Sequence, residues 1–437
     1  MFGSKEIHKV FDDENRLQKI LDVEAALARA HAEVGNIPKK AAEEISKKAS
    51  TKYVRPEEIR KIKKRIQHGI MAIIQALSNV CEKDAGGYVH LGASSNDIAD
   101  TALALQLREA IGIMLKDLGE LEGLLLSLAE KHKETMMVGR THGQHALPTT
   151  LGLKFAVFAS EIRRSICRIE DCKKRLLVGK MTGAVGTQAA FGDKGLEIQK
   201  VVMKRLGLKG VAVSSQVIQR DRHAEFIADL GILAGTLEKI GKEIRNLQRT
   251  EIGEVEEPFR EGQMGSSTMP HKRNPIKAEQ VCGLARVVRS NVLPALENIA
   301  LEHEADLTSL VYERLVIPET CLLVDEMLKS LNYVLKGLKI HPERMEQNLA
   351  ATGGLIMSEA VMMGLVKKGV GRQEAYDIVR RCAVEASEGR RPFKDVLLAN
   401  KVIRRLLSEE EIEKLLDPKR YLGTAVEQVE KLVRRRR

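Results

Sequence analysis

The segment FIADLGILAGTLEKIGKEIRNL, residues 226–247, decides the fold, because its apolar side chains recur at alternating steps of four and three. Such a repeat, about 3.5 residues on average, keeps one seam of an α-helix facing its neighbours and favours near-parallel packing in a left-handed supercoil. The seam consists of Phe226, Leu230, Leu233, Leu237, Ile240, Ile244 and Leu247. The segment therefore predicts one long helix of a bundle.

Three further segments have the spacing or the length of bundle helices. Two of them are residues 151–176 and residues 278–301. The segment 278–301 contains Pro294, where we expect a bend. The remaining one has apolar side chains at steps of three and four, namely Leu103, Leu107, Ile111, Met114, Leu118, Leu121, Leu125 and Leu128. No proline occurs between Pro56 and Pro148, so long helices are possible there.

These patterns predict an all-α protein of three mostly helical domains. The N-terminal helical domain is expected at residues 1–93, the central bundle of long helices at 94–345, and the C-terminal helical domain at 346–437. Strand signals are sparse, and the best of them is the short run 210–213. Helices of this length with seams on more than one face are usually buried by other subunits, so a homo-oligomer is expected.

Composition excludes several classes of protein. The chain has 437 residues, 43% hydrophobic and 30% charged, which is typical of globular proteins. No stretch approaches the roughly twenty apolar residues of a membrane span, and the charged N-terminus lacks a signal-peptide core. Six cysteines form neither a paired framework nor a metal-binding spacing. A cytoplasmic protein without a membrane partner is expected.

The net charge of +11 raises the question of nucleic-acid binding. Basic residues are interleaved with acidic ones along nearly every segment, as on solvated helix faces, and the basic run 434–437 is interpreted as a terminal tail. Aromatic residues are only 3% and tryptophan is absent, so platforms for stacking bases are not expected. We therefore expect a small anionic partner and no nucleic acid.

The segment GQMGSSTMPHKRNP, residues 262–275, is the strongest candidate for chemistry. A generic cluster of Gly, Ser and Pro is a surface loop. Here, however, adjacent hydroxyls stand beside Lys, Arg, His and Asn, which are the donors that surround an anion. A Gly-Ser-Ser turn can also direct successive backbone N–H groups inward as an anion nest, and mobile glycine-rich loops often cover active sites.

A second candidate is the segment GRTHGQHALPTT, residues 139–150. His142 and His145 would reach one metal ion if the segment were a helix, but Gly143 and Pro148 make a regular helix doubtful, and no other ligand stands at a suitable spacing. A packed, hydrogen-bonded histidine pair is the structural alternative. General acid–base chemistry is the interpretation we favour, since histidine titrates near neutral pH.

A third candidate, HLGASSND, residues 90–97, precedes the first long helix. Asp97 or Ser95 could cap that helix, a role that Ser, Asn and Asp fill well. Ser94 and Ser95, with the unpaired N–H groups of a helix start, could instead hold a substrate carboxylate. His68 is ambiguous by itself, because an isolated histidine is usually structural.

Residues 265–274 match Gly-Ser-Ser-x-Met-Pro-x-Lys-x-Asn, the signature of the fumarase/aspartase superfamily, at every fixed place. Over nearly the whole chain the sequence resembles the adenylosuccinate lyase family most closely. The resemblance implies a homotetramer whose active sites are shared between subunits. It also implies anti elimination of fumarate from adenylosuccinate, and from succinyl-aminoimidazole-carboxamide ribotide, in purine biosynthesis without cofactor or metal.

The resemblance further implies the roles of individual residues. Ser266 would be the base that removes a proton from carbon, although Ser266 and Ser267 could be exchanged, and His142 would protonate the leaving nitrogen. The expected catalytic residues are His142, Ser266, His68, Lys272 and Glu279, and the expected substrate-binding residues are Ser94, Ser95, Thr141, Gln216, Ser267, Asn274 and Arg314. Lys272 and Asn274 would stabilise the dianionic aci-carboxylate, and Glu279 would pair with His142.

The chain departs from the family pattern at the places that serve the nucleotide end of the substrate. Met1-Phe2 stands where the family has Arg-Tyr, and Gly69 stands where it has Asp. Ala305 replaces Arg and Leu310 replaces Ser, whereas Arg314 is retained. A lost charge-assisted contact is worth roughly 1.5–3 kcal/mol, so weaker nucleotide binding is expected.

Two alternatives remain open at this level. One is a 3-carboxy-cis,cis-muconate cycloisomerase-like enzyme or another fumarate-releasing paralogue, which the segments 351–355 and 371–375 also resemble. His145 argues against the cycloisomerases, which tend to have Pro there. The other is a non-catalytic helical scaffold or basic nucleic-acid binder, which intact Ser266, Lys272, Asn274 and His142 disfavour.

Overall fold

A computed structural model describes residues 2–260 and 262–435, and these residues are mainly α-helical. Met1, which belongs to the Met1-Phe2 departure, and residues 436–437, which belong to the basic run 434–437, lie outside the described ranges. The α-helices of the first half are Lys5–Phe11 (α1), Asp13–Glu33 (α2), Lys39–Lys48 (α3), Pro56–Ile66 (α4), Gly69–Val80 (α5), Ser95–Lys131 (α6), Leu151–Leu176 (α7), Gly195–Leu206 (α8) and Asp221–Leu247 (α9).

The second half continues in the same way. Its α-helices are Ile276–Ser290 (α10), Val292–Glu297 (α11), Thr308–Lys336 (α12), Pro342–Ala350 (α13), Ser358–Lys367 (α14), Arg372–Glu388 (α15), Phe393–Ala399 (α16), Lys401–Leu406 (α17), Glu409–Leu416 (α18) and Ala425–Arg434 (α19). The prediction of an all-α protein is therefore confirmed.

Helix α9 contains the seam predicted from the sequence. All seven seam residues from Phe226 to Leu247 are buried, and Leu230, Leu233, Leu237 and Ile240 have no exposed surface. In α6 the seam residues from Leu107 to Leu125 are buried as well, whereas Leu103 and Leu128 at its ends are half-buried. The predicted helix 151–176 agrees with α7 at both ends.

The bend expected at Pro294 is a break between α10 and α11 at Asn291. Proline has no N–H to donate to the carbonyl four residues earlier, and its ring crowds that carbonyl. The affected carbonyl belongs to Ser290, the last residue of α10. The Tyr312 hydroxyl donates to the Asn291 carbonyl at 2.8 Å and so satisfies one acceptor at the break.

The strands lie where the sequence signals were weakest. Met136–Thr141 (β1) and Gln144–Thr150 (β2) form an antiparallel hairpin, which we did not predict. The run 210–213 was expected as a strand, but only Lys209–Gly210 (β4) is extended, and it pairs in parallel with Val178–Gly179 (β3). Val255–Glu256 (β5) pairs with Lys339–Ile340 (β6). Strand β4 is short because its only partner has two residues.

The chain divides into two compact units, and the five long helices α6, α7, α9, α10 and α12 contribute residues to both. Unit 1 comprises residues 1–119, 164–238 and 280–330, and unit 2 comprises 120–163, 239–279 and 331–437. The expected domain boundaries near residues 93 and 345 remain a prediction.

Each unit has its own apolar core. In unit 1 a core is formed by α2, α5, α6 and α8, with Leu27, Ile98 and Ile198 among its buried residues. In unit 2 a core joins helices α14 to α18 around Phe393. Burial of such side chains, about 1.5–3 kcal/mol each, is the main source of stability.

Among the described residues, no single helix is both long and apolar enough to cross a membrane. One bent pair of helical segments, Pro342–Ala350 with Leu355–Lys367, passes the same test by length and composition, with a bend of 76°.

Candidate active site

His142 lies at the tip of the β1–β2 hairpin in unit 2. His142 and Gly143 form the two-residue turn and both have positive φ, 53° and 75°, as in the type I′ turns that join antiparallel strands. Both Thr141 and His142 are exposed, and no described residue hydrogen-bonds the His142 ring. The helix on which a His142–His145 metal site would depend is absent from this segment, because it is a hairpin.

A partly buried ion pair fixes the base of this hairpin. Arg140 donates from both terminal nitrogens to the Glu254 carboxylate, at 3.0 and 2.7 Å, and Glu254 has no exposed surface. Asn348 donates to the same carboxylate at 2.8 Å. His145 lies across from Arg140 on β2, and burial together with the Arg140 charge lowers its pKa. Its Nδ1 is buried without a hydrogen-bond partner among the described residues.

The signature loop, residues 262–275, is a compact turn in unit 2. The Asn274 side-chain amide donates to the Gly265 carbonyl at 3.0 Å and closes the loop. Gly265 packs so tightly that a Cβ there would stand 2.0 Å from the Lys272 carbonyl oxygen, which explains why this position requires glycine. The two ends of the signature are therefore held against each other.

Within this turn the two serines have different surroundings. The Ser266 hydroxyl accepts hydrogen bonds from the backbone N–H groups of Met269 at 3.1 Å and Thr268 at 3.3 Å. Ser267 is more exposed, and among the described residues its hydroxyl has one hydrogen-bond partner, the Thr268 hydroxyl at 3.4 Å. Two backbone donors directed at one hydroxyl oxygen favour a negative charge on that oxygen.

A cleft of about 830 Å³ adjoins the loop and contains three of the expected residues. Lys272, Asn274 and Glu279 line it together with the C-terminal end of α9. Gln248 connects the two walls, because its side chain donates to the Arg273 carbonyl at 3.2 Å and accepts from the Glu257 N–H at 2.9 Å. The structure thus brings together the residues that the sequence assigned to stabilising negative charge.

The expected pairing of His142 with Glu279 is not formed within one chain. Both side chains are exposed, and among the described residues neither hydrogen-bonds the other. The pairing stays a prediction that concerns two subunits.

In unit 1, Ser94 is the N-cap of α6, whereas Asp97 or Ser95 was expected to be. Its hydroxyl accepts from the Asp97 N–H at 3.4 Å, and the Asp97 carboxylate accepts from the Ser94 N–H at 2.8 Å. Asp97 prefers this reciprocal arrangement because it lies three residues inside the helix start, which is the position of the acid in a capping box. Ser94 and Ser95 are half-buried.

Asp97 also connects residues 90–97, the serine loop, to a second segment at residues 180–183. Its carboxylate pairs with Lys180 and accepts from the N–H groups of Thr182 at 2.8 Å and Gly183 at 3.0 Å, and neither charged side chain has exposed surface. The Thr182 hydroxyl is 2.8 Å from that of Ser214, two residues before Gln216. No motif in the sequence pointed to Lys180, which is a single cation in an apolar stretch.

Arg220 organises the surroundings of Gln216 and Arg314. It pairs with both Asp100 and Glu313 and is buried, and Asp100 accepts from the Ile218 N–H at 2.8 Å. Burial raises the pKa of Glu313 to about 7. Arg314 itself is exposed. Burial and, second, the charge of Arg314 lower the pKa of Arg16, which places another cation near Arg314.

His68 is the N-cap of α5, where its Nδ1 accepts from the Met71 N–H at 3.2 Å. It is exposed, as is Gly69 beside it. The other departures from the family pattern also lie in unit 1: Phe2 is exposed, and Ala305 and Leu310 are half-buried.

One group of metal-ligating side chains occurs in the described part of unit 1. Ligand atoms of Cys172, Glu225 and Asp229 lie within 4.8 Å of one another. Arg175 already engages the Glu225 carboxylate, so this group has a partner of its own.

The comparisons with known proteins agree with this geometry. A family model described as Lyase matches residues 4–290, and one described as Adenylosuccinate lyase C-terminus matches residues 354–432. The chain is 54% identical to the adenylosuccinate lyase of Pyrococcus abyssi, over 99% of this chain and 96% of that one. It is 52% identical to the adenylosuccinate lyase of Methanocaldococcus jannaschii, over 99% and 94%.

A solved structure shares the fold. The 3-carboxy-cis,cis-muconate lactonizing enzyme of Pseudomonas putida superposes with a TM-score of 0.91 at 36% identity, covering 99% of this chain and 97% of that one. The same architecture therefore occurs with more than one substrate.

Proposed function

We propose that this chain, which belongs to the lyase family and within it to the adenylosuccinate lyases, releases fumarate from adenylosuccinate by anti elimination and leaves AMP. The related cleavage of succinyl-aminoimidazole-carboxamide ribotide would follow the same course. Both reactions belong to purine biosynthesis, and a cytoplasmic location is consistent with the six unpaired cysteines.

The observation that carries this proposal is the surroundings of Ser266. A serine hydroxyl is a poor base until its oxyanion is stabilised, and Ser266 receives two backbone N–H groups at 3.1 and 3.3 Å. These donors would lower the cost of the alkoxide that removes a proton from the substrate carbon. Ser267 has no comparable donors among the described residues, which supports Ser266 as the base.

Removal of that proton creates a dianionic aci-carboxylate, which must be stabilised by donors already in place. Lys272 supplies positive charge, and Asn274 is held by its bond to Gly265 close to the same turn. Both line the cleft beside the loop. We assign the developing charge to this cleft, with Ser267 as a substrate contact.

His142 would then protonate the leaving nitrogen. Its place on an exposed two-residue turn allows the ring to enter a cleft of another subunit, where the partner subunit's Glu279 would hold its tautomer. Thr141 would contact substrate from the same turn. From unit 1, Ser94, Ser95, Gln216 and Arg314 would bind substrate, and His68 would assist at the leaving group.

Sharing of the site requires an oligomer, and we propose a homotetramer. Unit 1 exposes an unusual number of large apolar side chains between residues 287 and 315, namely Val287, Leu293, Leu296, Ile299, Leu307, Val311 and Leu315. Scattered single apolar residues are normal on a surface, but a concentration on neighbouring helical segments is typical of subunit interfaces.

The experiment that tests the function is a direct assay. Purified protein is mixed with adenylosuccinate, and the ultraviolet change is followed as AMP and fumarate form. We expect turnover that is lost in Ser266→Ala. No turnover of adenylosuccinate or of the ribotide by folded, tetrameric protein would reject the proposal.

A second candidate function has a specific observation in its favour. Ala305 and Leu310 remove polar groups expected at the nucleotide end, and a structure sharing the fold belongs to a lactonizing enzyme. Carboxymuconate or another succinylated compound is therefore included as a parallel substrate. A kcat/KM for it above that for adenylosuccinate would select this alternative.

A further inference from the structure

We propose that Arg245 and Arg249 bind an oxyanion of the substrate in the cleft that contains Lys272. The inference deepens the proposed function and rests on it for the identity of the substrate. Neither arginine belongs to the superfamily signature or to the site residues expected from the sequence, and the structure brings both to the signature loop.

The two arginines lie on one helix face together with a lysine. Lys242, Arg245 and Arg249 follow one another at steps of three and four, so their side chains share a face of α9 and of the turn that continues it. All three line the same cleft as Lys272. One wall of the cleft is therefore a stripe of cations.

Positively charged side chains outnumber negatively charged ones in the described lining of the cleft. Besides this stripe, Lys272 and Arg273 contribute positive charge, and Glu279 is the single acidic residue among the described lining residues. Arg273 is partly neutralised by Glu256 at 2.8 Å. The excess of positive charge favours an anion that carries several negative charges.

Both arginines lack partners in the part of the chain that the structure describes. Among the described residues, the guanidinium groups of Arg245 and Arg249 make no ion pair or hydrogen bond, although Arg245 is half-buried. Some other cations on the long helices are paired, as Lys239 is with Glu161 and Arg289 with Glu238. Two like charges beside each other without a counter-ion repel, and a bound oxyanion would remove that repulsion.

Hydrogen bonds also anchor the wall that carries the two arginines. Gln248, between the two arginines in sequence, hydrogen-bonds both the Arg273 carbonyl and the Glu257 N–H. The end of α9 is thereby tied to the segments on either side of the signature loop. Cations near a helix C-terminus also interact with the helix dipole, but that interaction does not require them to line a cleft with Lys272.

The ligand chemistry follows from the side chains and from the size of the cleft. Arginine presents a planar fork that suits carboxylate and phosphate groups. A volume of about 830 Å³ falls in the range of small-molecule sites. The substrate carries two carboxylates and a phosphate, and Arg245 and Arg249 would supply positive charge for one of these groups.

The test compares Arg245→Met, Arg249→Met and the double variant with Arg245→Lys, which keeps the charge but loses the fork. The control is Arg372→Met, an exposed arginine at the start of α15 outside the cleft. For each protein KM, kcat and the inhibition constants of the two products, fumarate and AMP, are measured, and size-exclusion chromatography reports the tetramer.

We expect the double variant to raise KM and the inhibition constant of one product at least tenfold, with kcat within threefold, and Arg372→Met to change neither. A higher inhibition constant for fumarate identifies the oxyanion as a carboxylate, and a higher inhibition constant for AMP identifies it as the phosphate. Unchanged constants for both products, or loss of the tetramer in Arg245→Lys as well as Arg245→Met, would overturn the proposal in favour of a structural role.

Failure of the proposed function is recognised separately. If the wild-type protein does not cleave adenylosuccinate, calorimetric titrations of fumarate, AMP and inorganic phosphate into wild type and double variant still report on the cleft. Binding to the wild type that the double variant lacks supports the oxyanion site, and no binding to the wild type rejects it.

Discussion

Arg140 and Glu254 form a bidentate ion pair that ties the strand before the His142 turn to the residue preceding β5. The pair is reinforced by Asn348, which donates to Glu254 and to the Ile252 carbonyl, both at 2.8 Å. The His142 turn is exposed, so this buried network below it determines where the turn points.

Breaking this pair should damage both stability and catalysis. Glu254→Gln leaves Arg140 without its counter-charge. Removing one partner of a fully buried pair costs roughly 3–5 kcal/mol, which is an upper bound here because the Arg140 side chain is 17% exposed. Arg140→Met/Glu254→Gln should recover most of that free energy of unfolding because no buried charge is left alone. We expect the double variant to keep kcat at least tenfold below wild type, since the hairpin base is no longer fixed. Wild-type kcat in a stable double variant would show that the pair has no part in placing His142.

The two signature serines should differ sharply when each is replaced. Ser266→Ala removes the hydroxyl that receives two backbone N–H groups, and we expect kcat to fall at least a hundredfold with the fold retained. Ser267→Ala should mainly raise KM, by less than tenfold. Steady-state kinetics and circular dichroism measure both effects. The reverse order of the two effects would assign the base to Ser267.

Asp97 should position the serine loop through its pairing with Lys180. Asp97→Asn/Lys180→Met avoids a lone buried charge and should fold, but the amide nitrogen would face either the N–H donor of Thr182 or those of Ser94 and Gly183. We expect KM to rise about tenfold with a smaller change in kcat, and faster hydrogen exchange in residues 90–97. The matched control is Asp117→Asn/Lys329→Met, which removes a partly buried pair elsewhere in unit 1. An equal change of KM in the control would refute a specific role.

The free energy of unfolding should depend on pH through His223. Burial and, second, the charge of Arg220 lower the pKa of His223 to about 3, whereas an unfolded histidine titrates near 6.5. Between pH 6.5 and 3 the unfolded chain binds a proton that the folded chain does not. The free energy of unfolding is therefore highest above pH 6.5 and decreases below it, by about 1.4 kcal/mol per pH unit down to the folded pKa.

This dependence is measured by denaturant unfolding of wild type and His223→Leu between pH 7 and 5. The difference in free energy of unfolding between the two proteins should shift with pH by that slope. A constant difference would mean that the pKa of His223 in the folded protein is close to its unfolded value.

The apolar face of unit 1 should hold the oligomer together. Val311 and Leu315 lie one helical turn apart on α12, and both are about two-thirds exposed, 64% and 66%. Val311→Asp/Leu315→Asp should dissociate the proposed tetramer and abolish turnover, because the proposed active site is shared between subunits. Val384→Asp, at an exposed apolar position of α15, is the control and should leave the assembly intact. Multi-angle light scattering and the ultraviolet assay distinguish these outcomes, and a monomeric wild type would contradict the proposal at once.

The sequence predicted the helices well and the strands poorly. The seam of α9 and the ends of α7 could be read directly, because a repeat of apolar side chains reports which face of a helix is buried. The β1–β2 hairpin was missed because its paired residues are joined by a short polar turn and β2 contains Pro148, which disguise the alternation of buried and exposed residues. The ion pairs of Lys180 and Glu254 were also not predicted, since their partners are distant in sequence.

What the sequence by itself determined is therefore the helical bundle, the signature loop with Ser266, Lys272 and Asn274, and the family. These features depend on local spacing and on contiguous motifs, which the order of residues records. Only the tertiary structure decided which serine receives backbone donors, which ion pairs fix the loops, and that Arg245 and Arg249 line the cleft of Lys272. Such relationships arise when segments far apart in the chain are packed together, and a linear pattern does not specify the distances between them.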